Sequence, residues 1–197
     1  MRLPDKFTLL RIISAPLFFV VYFLPYRVQN DFFGALSVVI LFLLLAFAEF
    51  TDFLDGYFAR KLQQVSDFGK IFDPFADIFL NMTVFLCFTI SRRLSPSVLI
   101  LLAYREFIML FLRLCAMQRG VTIAARFGGK LKTCFFVATC FVTLTLEGAE
   151  RLHAALWRYE FWVQVNFWLF VACLITSYGS LLEYVIHFKI IFEKKLR

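Results

Sequence analysis

The chain has 197 residues and is 61% hydrophobic and 18% charged, whereas soluble domains have about 45–50% apolar and about 25% charged residues. Its 28 phenylalanines exceed what a soluble core of this size needs, so composition excludes a soluble globular protein and predicts side chains that face lipid. The net charge of +7 then indicates membrane topology rather than nucleic-acid binding, because Lys and Arg cluster on the cytoplasmic side of membrane proteins.

Six apolar segments are long enough to cross a bilayer, which takes about 20 residues of helix. We therefore predict an all-α polytopic membrane protein with one domain over residues 1–197. A short interfacial segment is expected at residues 1–7, and a second one at 149–161. The predicted spans are residues 8–26, 33–55, 72–91, 96–117, 130–148 and 162–190.

The distribution of Lys and Arg orients these spans. Fourteen of these residues lie at the helix ends shared by the two termini, and five lie at the opposite ends. Arg105 and Arg113 fall within the fourth span and are left out of this comparison. The positive-inside rule therefore places both termini and the 60–70 loop in the cytoplasm, and we expect the protein in the cell (inner) membrane.

Four aspartates stand where the second span ends and the third begins. An acid at the centre of a span costs about 2.5–3.5 kcal/mol, so a group of four needs partners or a wet cavity. The i, i+3 and i, i+4 spacings put each pair on one helix face, and antiparallel spans would bring the carboxylates together at the cytoplasmic surface. Such oxygen donors suit one or two Mg²⁺, Mn²⁺ or Ca²⁺ ions beside a phosphate-bearing substrate. The residues are Asp52, Asp55, Asp73 and Asp77.

Three alternatives to a metal site are pairing of the aspartates with basic residues, helix capping and the cation pathway of a transporter. Asp73 followed by Pro74 is typical of a helix start, but capping explains one aspartate rather than four. A cation pathway predicts acids spread through the bilayer, whereas these acids are expected at one face. A metal site therefore fits the pattern better than the alternatives do.

The residues between the aspartates extend the pattern to Asp52-x2-Asp55-Gly56-x2-Ala59-Arg60-x8-Gly69-x3-Asp73-x3-Asp77. This string resembles the signature of the CDP-alcohol phosphotransferase family at every fixed position. The family moves a phosphatidyl or similar group from a CDP-linked donor to an alcohol and releases CMP. The resemblance implies a six-span enzyme, most simply a homodimer, with CDP-diacylglycerol as its donor.

The resemblance also implies a role for each matched position. Asp52, Asp55 and Asp73 would hold one or two Mg²⁺ or Mn²⁺ ions, and Asp77 would complete the metal site. Asp77 would also be the catalytic base that takes the proton of the acceptor hydroxyl. The residues that would bind the CDP-linked donor are Gly56, Ala59, Arg60, Ser66 and Gly69.

A basic cluster follows in and after the fourth span. Arg105 and Arg113 interrupt an apolar helix, so we expect both to face the interior, about 80° apart around the helix axis. Cations that snorkel to the membrane surface are the alternative, above all for Arg119 and Arg126. The predicted anion pocket, which would bind the acceptor phosphate, consists of Arg105, Arg113, Lys130 and Lys132.

This cluster resembles the branch of the family that makes phosphatidylglycerophosphate, which has an Arg-Glu pair, an Arg eight residues later and a Gly-Lys-x-Lys-Thr string. Pro4, Thr8 and Arg11 match the branch's N-terminal pattern, so the resemblance covers residues 1–133. It implies glycerol 3-phosphate as the acceptor. Ile78 stands where the branch has Lys, and Phe111 where it has a small residue. These departures keep an inositol phosphate, phosphatidylglycerol or an amino alcohol open as acceptors, with a cation transporter as the distant alternative.

Overall fold

The computed structural model describes residues 3–28, 30–61, 67–118 and 127–196, and their regular structure is entirely helical. The all-α prediction is therefore confirmed for these residues. The helices that they form are α1 (Leu3–Val28), α2 (Asp31–Lys61), α3 (Asp67–Ile90), α4 (Pro96–Gln118), α5 (Phe127–Arg151) and α6 (Tyr159–Leu196).

Five of the described helices contain stretches long and apolar enough to cross a membrane. Large apolar side chains lie exposed along them, for example Leu43 at 63% and Ile175 at 68%. So many exposed apolar side chains need lipid as their solvent, and the chain is therefore an integral membrane protein. The stretches are Thr8–Val28, Asp31–Thr51, Ile71–Ile90, Leu131–Arg151 and Tyr159–Phe188.

Helix α4, predicted as the fourth span, is not one of these five helices. Its 23 residues include Arg105, Glu106 and Arg113, and charges at this density reduce the apolar character that membrane insertion requires. Two of the three, Arg105 and Glu106, are buried and paired with each other. The count of six spans therefore stays a prediction.

Helix bounds differ from the predictions mainly at the ends that carry the aspartates. Helix α2 continues to Lys61, so the Asp52–Arg60 part of the motif is helical. Helix α3 already begins at Asp67, and Pro74 lies inside it. The capping alternative for Asp73 is therefore wrong. Pro74 lies inside the helix, where it lacks the N–H for one backbone hydrogen bond.

The terminal helices are also longer than predicted. Residues 3–7 continue α1 without a break, so the interfacial position of the N-terminal segment stays a prediction. Helix α6 has 38 residues and is about 57 Å long, nearly twice the hydrocarbon thickness of a bilayer.

The chain divides into two compact units, of which the first comprises Met1–Leu94 and Thr143–Tyr159. In this unit α1 packs against both α2 and α3. The contact with α3 is aromatic: the ring of Tyr22 lies 6.1 Å from that of Phe88 on α3, and within α1 it lies 6.0 Å from that of Phe18. This packing fixes α1 beside α3 and so determines which α1 side chains meet the aspartates.

The first unit also contains a buried charged network around Glu147. The Glu147 carboxylate accepts hydrogen bonds from Tyr26 Oη at 2.7 Å, Arg151 Nε at 3.0 Å and Arg93 Nε at 3.2 Å. Arg93 also pairs with Glu150. Burial acts to lower the pKa of Arg93, but its hydrogen bonds to Glu150, Tyr159 and Glu147 outweigh this effect and raise the pKa. Arg93 therefore keeps its charge within this network, where it is paired with Glu147 and Glu150.

The second unit comprises Ser95–Val142 and Glu160–Arg197. Met109 of α4 packs with Leu181 and Tyr184 of α6 in a small buried cluster. Tyr178 of α6 donates a hydrogen bond to the carbonyl oxygen of Leu101 at 3.0 Å. These contacts join α4 to α6 around the buried charges of α4.

Candidate active site

Asp73 and Asp77 share one face of α3, as their spacing predicts, and that face meets α1. The hydroxyl of Thr8 donates a hydrogen bond to Asp73 Oδ1 at 2.5 Å. Arg11 Nη1 donates to Asp77 Oδ1, and Arg11 Nη2 lies 3.8 Å from Asp73 Oδ1. One guanidinium of α1 therefore contacts both carboxylates of α3.

Burial differs sharply across this contact. The side chain of Arg11 is 2% exposed, whereas those of Asp73 and Asp77 are 42% and 44% exposed. The guanidinium therefore holds the carboxylates from the protein side, and much of their surface stays accessible. Carboxylates that contact a buried guanidinium and remain 42% and 44% exposed can bind a cation or take a proton from a bound molecule.

The other signature residues are placed only in part. Asp52 and Asp55 lie three residues apart on the last turns of α2, and Gly69 lies on α3 one turn before Asp73. Convergence of all four carboxylates stays a prediction. The structure does not describe the side chains of four further signature residues, Asp52, Asp55, Ala59 and Arg60, or how Gly56 contributes to the site. Ser66 lies wholly outside the described residues.

The described acids fit a hard divalent cation by their chemistry. Asp73 and Asp77 offer only oxygen donors, which Mg²⁺ and Mn²⁺ prefer, and both carboxylates are accessible. No group of three or more His, Cys, Asp or Glu side chains is placed to hold a metal among the residues described, and that set excludes the side chains of Asp52 and Asp55.

In the second unit, Arg105 faces the interior, as predicted, and is 3% exposed. Its Nε donates to the carbonyl oxygen of Ser177 at 2.9 Å, and its Nη2 donates to the hydroxyl of Ser180. Its Nη1 donates to Glu106 Oε1 at 2.7 Å. Helix α6 and the neighbouring carboxylate therefore fix the guanidinium in one orientation.

Lys132 of α5 joins the same buried cluster. Its ammonium pairs with Glu106 Oε1, the oxygen that also accepts from Arg105, and lies 4.7 Å from the ring centre of Phe136. Lys132 is 15% exposed and Glu106 only 6%. The cluster thus places two cations around one buried carboxylate, an excess of positive charge that suits an anionic ligand.

Of the two remaining residues predicted to bind the anion, the structure describes the side chain of Arg113 but not that of Lys130. Arg113 is exposed, so its predicted interior position is wrong: the 80° rotation from Arg105 is enough to turn it to the surface. Its positive charge still repels the charges of Arg105 and Lys132. The side chain of Lys130 lies outside the described residues, and so do Arg119 and Arg126.

The two departures from the branch pattern lie in different surroundings. Ile78 is 8% exposed and belongs to the core of the first unit, immediately after Asp77. Phe111 is 65% exposed on α4. The larger side chain at position 111 therefore points to the surface.

The partners that hold the predicted site residues were not predicted from the sequence. Thr8 and Arg11 enter the sequence analysis only as part of an N-terminal pattern, although an Arg within an apolar helix indicates a polar or acidic partner on another helix. Ser177 and Ser180 of α6 belong to none of the sequence motifs. Their i, i+3 spacing in an apolar helix is the signal that could have indicated a polar partner on another helix.

These features define an integral membrane protein of α-helices with an accessible pair of aspartates on α3. The sequence matches the family model for CDP-alcohol phosphatidyltransferases over residues 1–178, which include parts of both units. The chain belongs to the CDP-alcohol phosphatidyltransferase family, and the predicted resemblance is confirmed. It is therefore an enzyme of phospholipid synthesis.

Several relatives are more than a third identical to this chain over the aligned residues. A Treponema pallidum protein named CDP-diacylglycerol–glycerol-3-phosphate 3-phosphatidyltransferase is 37% identical over 94% of this chain and 88% of the relative. A Bacillus subtilis protein of the same name is 37% identical over 67% of this chain and 70% of its own length. An Aquifex aeolicus protein, also of that name, is 34% identical over 68% and 71%.

Proposed function

We propose that this chain transfers the phosphatidyl group of CDP-diacylglycerol to sn-glycerol 3-phosphate, which gives phosphatidylglycerophosphate and CMP. The observation that carries the proposal is the accessible pair of signature residues Asp73 and Asp77, which Arg11 of α1 contacts. The name shared by relatives that align with most of this chain supports the choice of donor and acceptor.

In the proposed reaction Asp77 accepts the proton of the acceptor hydroxyl. The hydroxyl oxygen then forms a bond to the phosphorus of the phosphatidyl group, and the bond from that phosphorus to the CMP oxygen breaks. The contact with Arg11 fixes the orientation of Asp77, and its 44% exposure lets the acceptor approach.

The proposed cofactor is one or two Mg²⁺ or Mn²⁺ ions, held by Asp52, Asp55, Asp73 and Asp77. A divalent ion there would supply positive charge to the diphosphate and to the departing CMP. Its support is the oxygen-only, accessible donor set on α3. For the donor nucleotide and diphosphate we propose Gly56, Ala59, Arg60, Ser66 and Gly69, by their match to the family signature.

The phosphate of the acceptor is assigned to the basic cluster of the second unit. Lys132 and Arg105 carry the buried charges there, and exposed Arg113 interacts electrostatically with both. Arg105 already donates to α6 and to Glu106, so its role would be to fix the cluster while Lys132 and Arg113 meet the phosphate. Lys130 completes the proposed set.

The topology proposal follows from the excess of Lys and Arg at one set of helix ends. Six spans, with α4 as the fourth, would put both termini and the aspartates on the cytoplasmic side of the inner membrane. A lipid donor would then present its nucleotide at the surface where the acids are expected. We further propose a single domain over residues 1–197 and a homodimer, both supported by family resemblance.

A panel of acceptors tests the function. The purified protein, CDP-diacylglycerol and Mg²⁺ are mixed with glycerol 3-phosphate, an inositol phosphate, phosphatidylglycerol or an amino alcohol, and CMP release is measured. We expect release with glycerol 3-phosphate to exceed that with each other acceptor by at least about tenfold. Faster release with another member of the panel would transfer the assignment to that acceptor, and no release with any would refute the transferase proposal.

A further inference from the structure

Thr8 and Arg11 of α1 lie beneath the two accessible aspartates of α3. Thr8 is fully buried and Arg11 is 2% exposed, so neither side chain presents itself to a molecule that binds above the carboxylates. Both reach α3 through side-chain contacts: Thr8 with Asp73, and Arg11 with Asp77 and Asp73. Their contact with the reaction is therefore indirect, through the aspartates.

The geometry of Arg11 addresses a physical problem of the site. Two carboxylates four residues apart on one helix face repel each other, and repulsion favours rotamers that separate them. A guanidinium is planar and carries donors on two terminal nitrogens, so it can engage two carboxylates at the same time. Arg11 does this with Nη1 at Asp77 and Nη2 toward Asp73.

The second contact, from Thr8, acts on Asp73. The Thr8 hydroxyl donates to Asp73 Oδ1, the same oxygen that lies 3.8 Å from Arg11 Nη2. A hydrogen bond from a buried, β-branched side chain restricts the carboxylate to few orientations. Thr8 and Arg11 are three residues apart, so the rigid helix α1 presents them to α3 together.

We propose that Arg11, assisted by Thr8, is a positioning residue that serves as an internal counter-ion and holds Asp73 and Asp77 in their working orientation before any divalent ion binds. The inference rests on the proposed function for its effect on turnover. Its effect on the metal-free protein depends on the charges alone. A divalent ion and the guanidinium would thus share the task of offsetting carboxylate repulsion.

The substitution Arg11→Met distinguishes a role of Arg11 in positioning the aspartates from a role in packing alone. In EDTA we expect its melting temperature to fall by about 5 °C, because the carboxylates lose a buried counter-ion. Saturating Mn²⁺, added without substrates, should remove at least half of that deficit, since the ion supplies the missing charge. In the CMP-release assay kcat should fall at least about tenfold, with both KM values changed less than about threefold.

Arg11→Lys keeps the charge and loses the planar fork, so it tests the geometry. We expect its melting temperature in EDTA to stay within about 2 °C of the wild type, with kcat still reduced about tenfold. Thr8→Val, which removes one hydroxyl and keeps the shape, should lower kcat by less than Arg11→Met does. The matched control Arg27→Met removes an exposed cation from the other end of α1 and should change none of these quantities.

Two results would overturn the proposal. One is a melting deficit of Arg11→Met that is equal in EDTA and in Mn²⁺, which would make Arg11 a packing residue. The other is full kcat in Arg11→Lys, which also decides the matter if Arg11→Met does not fold. The melting measurements contain no donor or acceptor, so they keep their meaning if glycerol 3-phosphate proves to be the wrong acceptor.

Discussion

Helix α1 meets acidic residues near both of its ends, and the two encounters differ in burial. Near its start, buried Arg11 holds Asp73 and Asp77, which are 42% and 44% exposed. Near its end, Tyr26 contacts Glu147, which is 4% exposed and lies between Arg93 and Arg151. Arg11 and Tyr26 are about 22 Å apart along the helix.

The difference separates an acid site available for chemistry from one that contributes to stability. Glu147 has its oxygens engaged by Tyr26, Arg93 and Arg151 and offers little surface to a ligand. At Asp73 and Asp77 the burial is reversed: the cation is inside and the carboxylates are accessible. We therefore expect substitutions at the first end of α1 to affect turnover as well as stability, and those at the second end to affect stability alone.

The largest effect is expected at the accessible acids. Asp77→Asn keeps the shape of the side chain but removes its charge and its ability to take a proton, so kcat should fall by about 10²- to 10⁴-fold. The melting temperature should also fall, because buried Arg11 loses one of its two carboxylate partners, so turnover has to be compared per folded molecule. CMP release per folded molecule, with folding checked by thermal melting, measures this. An Asp77→Asn variant with wild-type kcat would remove Asp77 as the base.

The substitution Glu147→Gln tests whether the buried acid near the end of α1 contributes to stability rather than to turnover. The substitution leaves Arg93 and Arg151 without the charge between them, and breaking a buried ion pair typically costs about 3–5 kcal/mol. We expect a clear loss of unfolding free energy with kcat per folded molecule unchanged within about threefold. The control Glu150→Gln removes a 55% exposed partner of Arg93 and should cost less than about 1 kcal/mol. Equal losses in the two variants would contradict the proposed role of burial.

The substitution Lys132→Met tests whether the basic cluster binds a ligand, as proposed for Asp73 and Asp77, or contributes to stability, as proposed for Glu147. If the cluster binds the acceptor phosphate, the KM for glycerol 3-phosphate should rise about tenfold, with the KM for CDP-diacylglycerol unchanged. Initial rates at varied acceptor and donor concentrations provide the measurement, with Arg27→Met as the control. An unchanged acceptor KM would mean that Lys132 serves the stability of the second unit through Glu106.

The smallest effect is expected for Phe111→Ala. Phe111 departs from the pattern of the branch, but it is 65% exposed on α4 and fills no buried space. Exposed substitutions usually change stability by less than about 0.5 kcal/mol, and we expect an acceptor KM within about twofold of the wild type. A larger shift in the acceptor panel would make position 111 a determinant of specificity.

Sequence alone predicted the helical class and the shared face of Asp73 and Asp77, because hydrophobic run length and helical spacing are local properties. It predicted the buried position of Arg105 for the same reason: a cation in an apolar helix needs an interior partner. The family and the signature were also recognisable, because the spacing of the motif is preserved along the chain.

The partners of these residues could not be predicted in the same way. That Arg11 meets Asp77, and Arg105 meets Ser180, depends on how α1 packs on α3 and α4 on α6. Such packing is set by many small contacts between helices, as between Tyr22 and Phe88, and not by spacing within one helix. The predicted third span, residues 72–91, agrees with the apolar stretch Ile71–Ile90, whereas the resemblance of Asp73-Pro74 to a helix start was misleading because α3 begins at Asp67.

The central claim is that this chain moves the phosphatidyl group to glycerol 3-phosphate at the Asp73–Asp77 site. Its most direct test uses CDP-diacylglycerol labelled at the phosphatidyl phosphorus together with glycerol 3-phosphate labelled at carbon. We predict that both labels enter one extractable lipid in equal amounts, with equimolar CMP, and that Asp77→Asn forms almost none of it. Release of CMP without carbon label in lipid, or equal incorporation by Asp77→Asn, would contradict the claim.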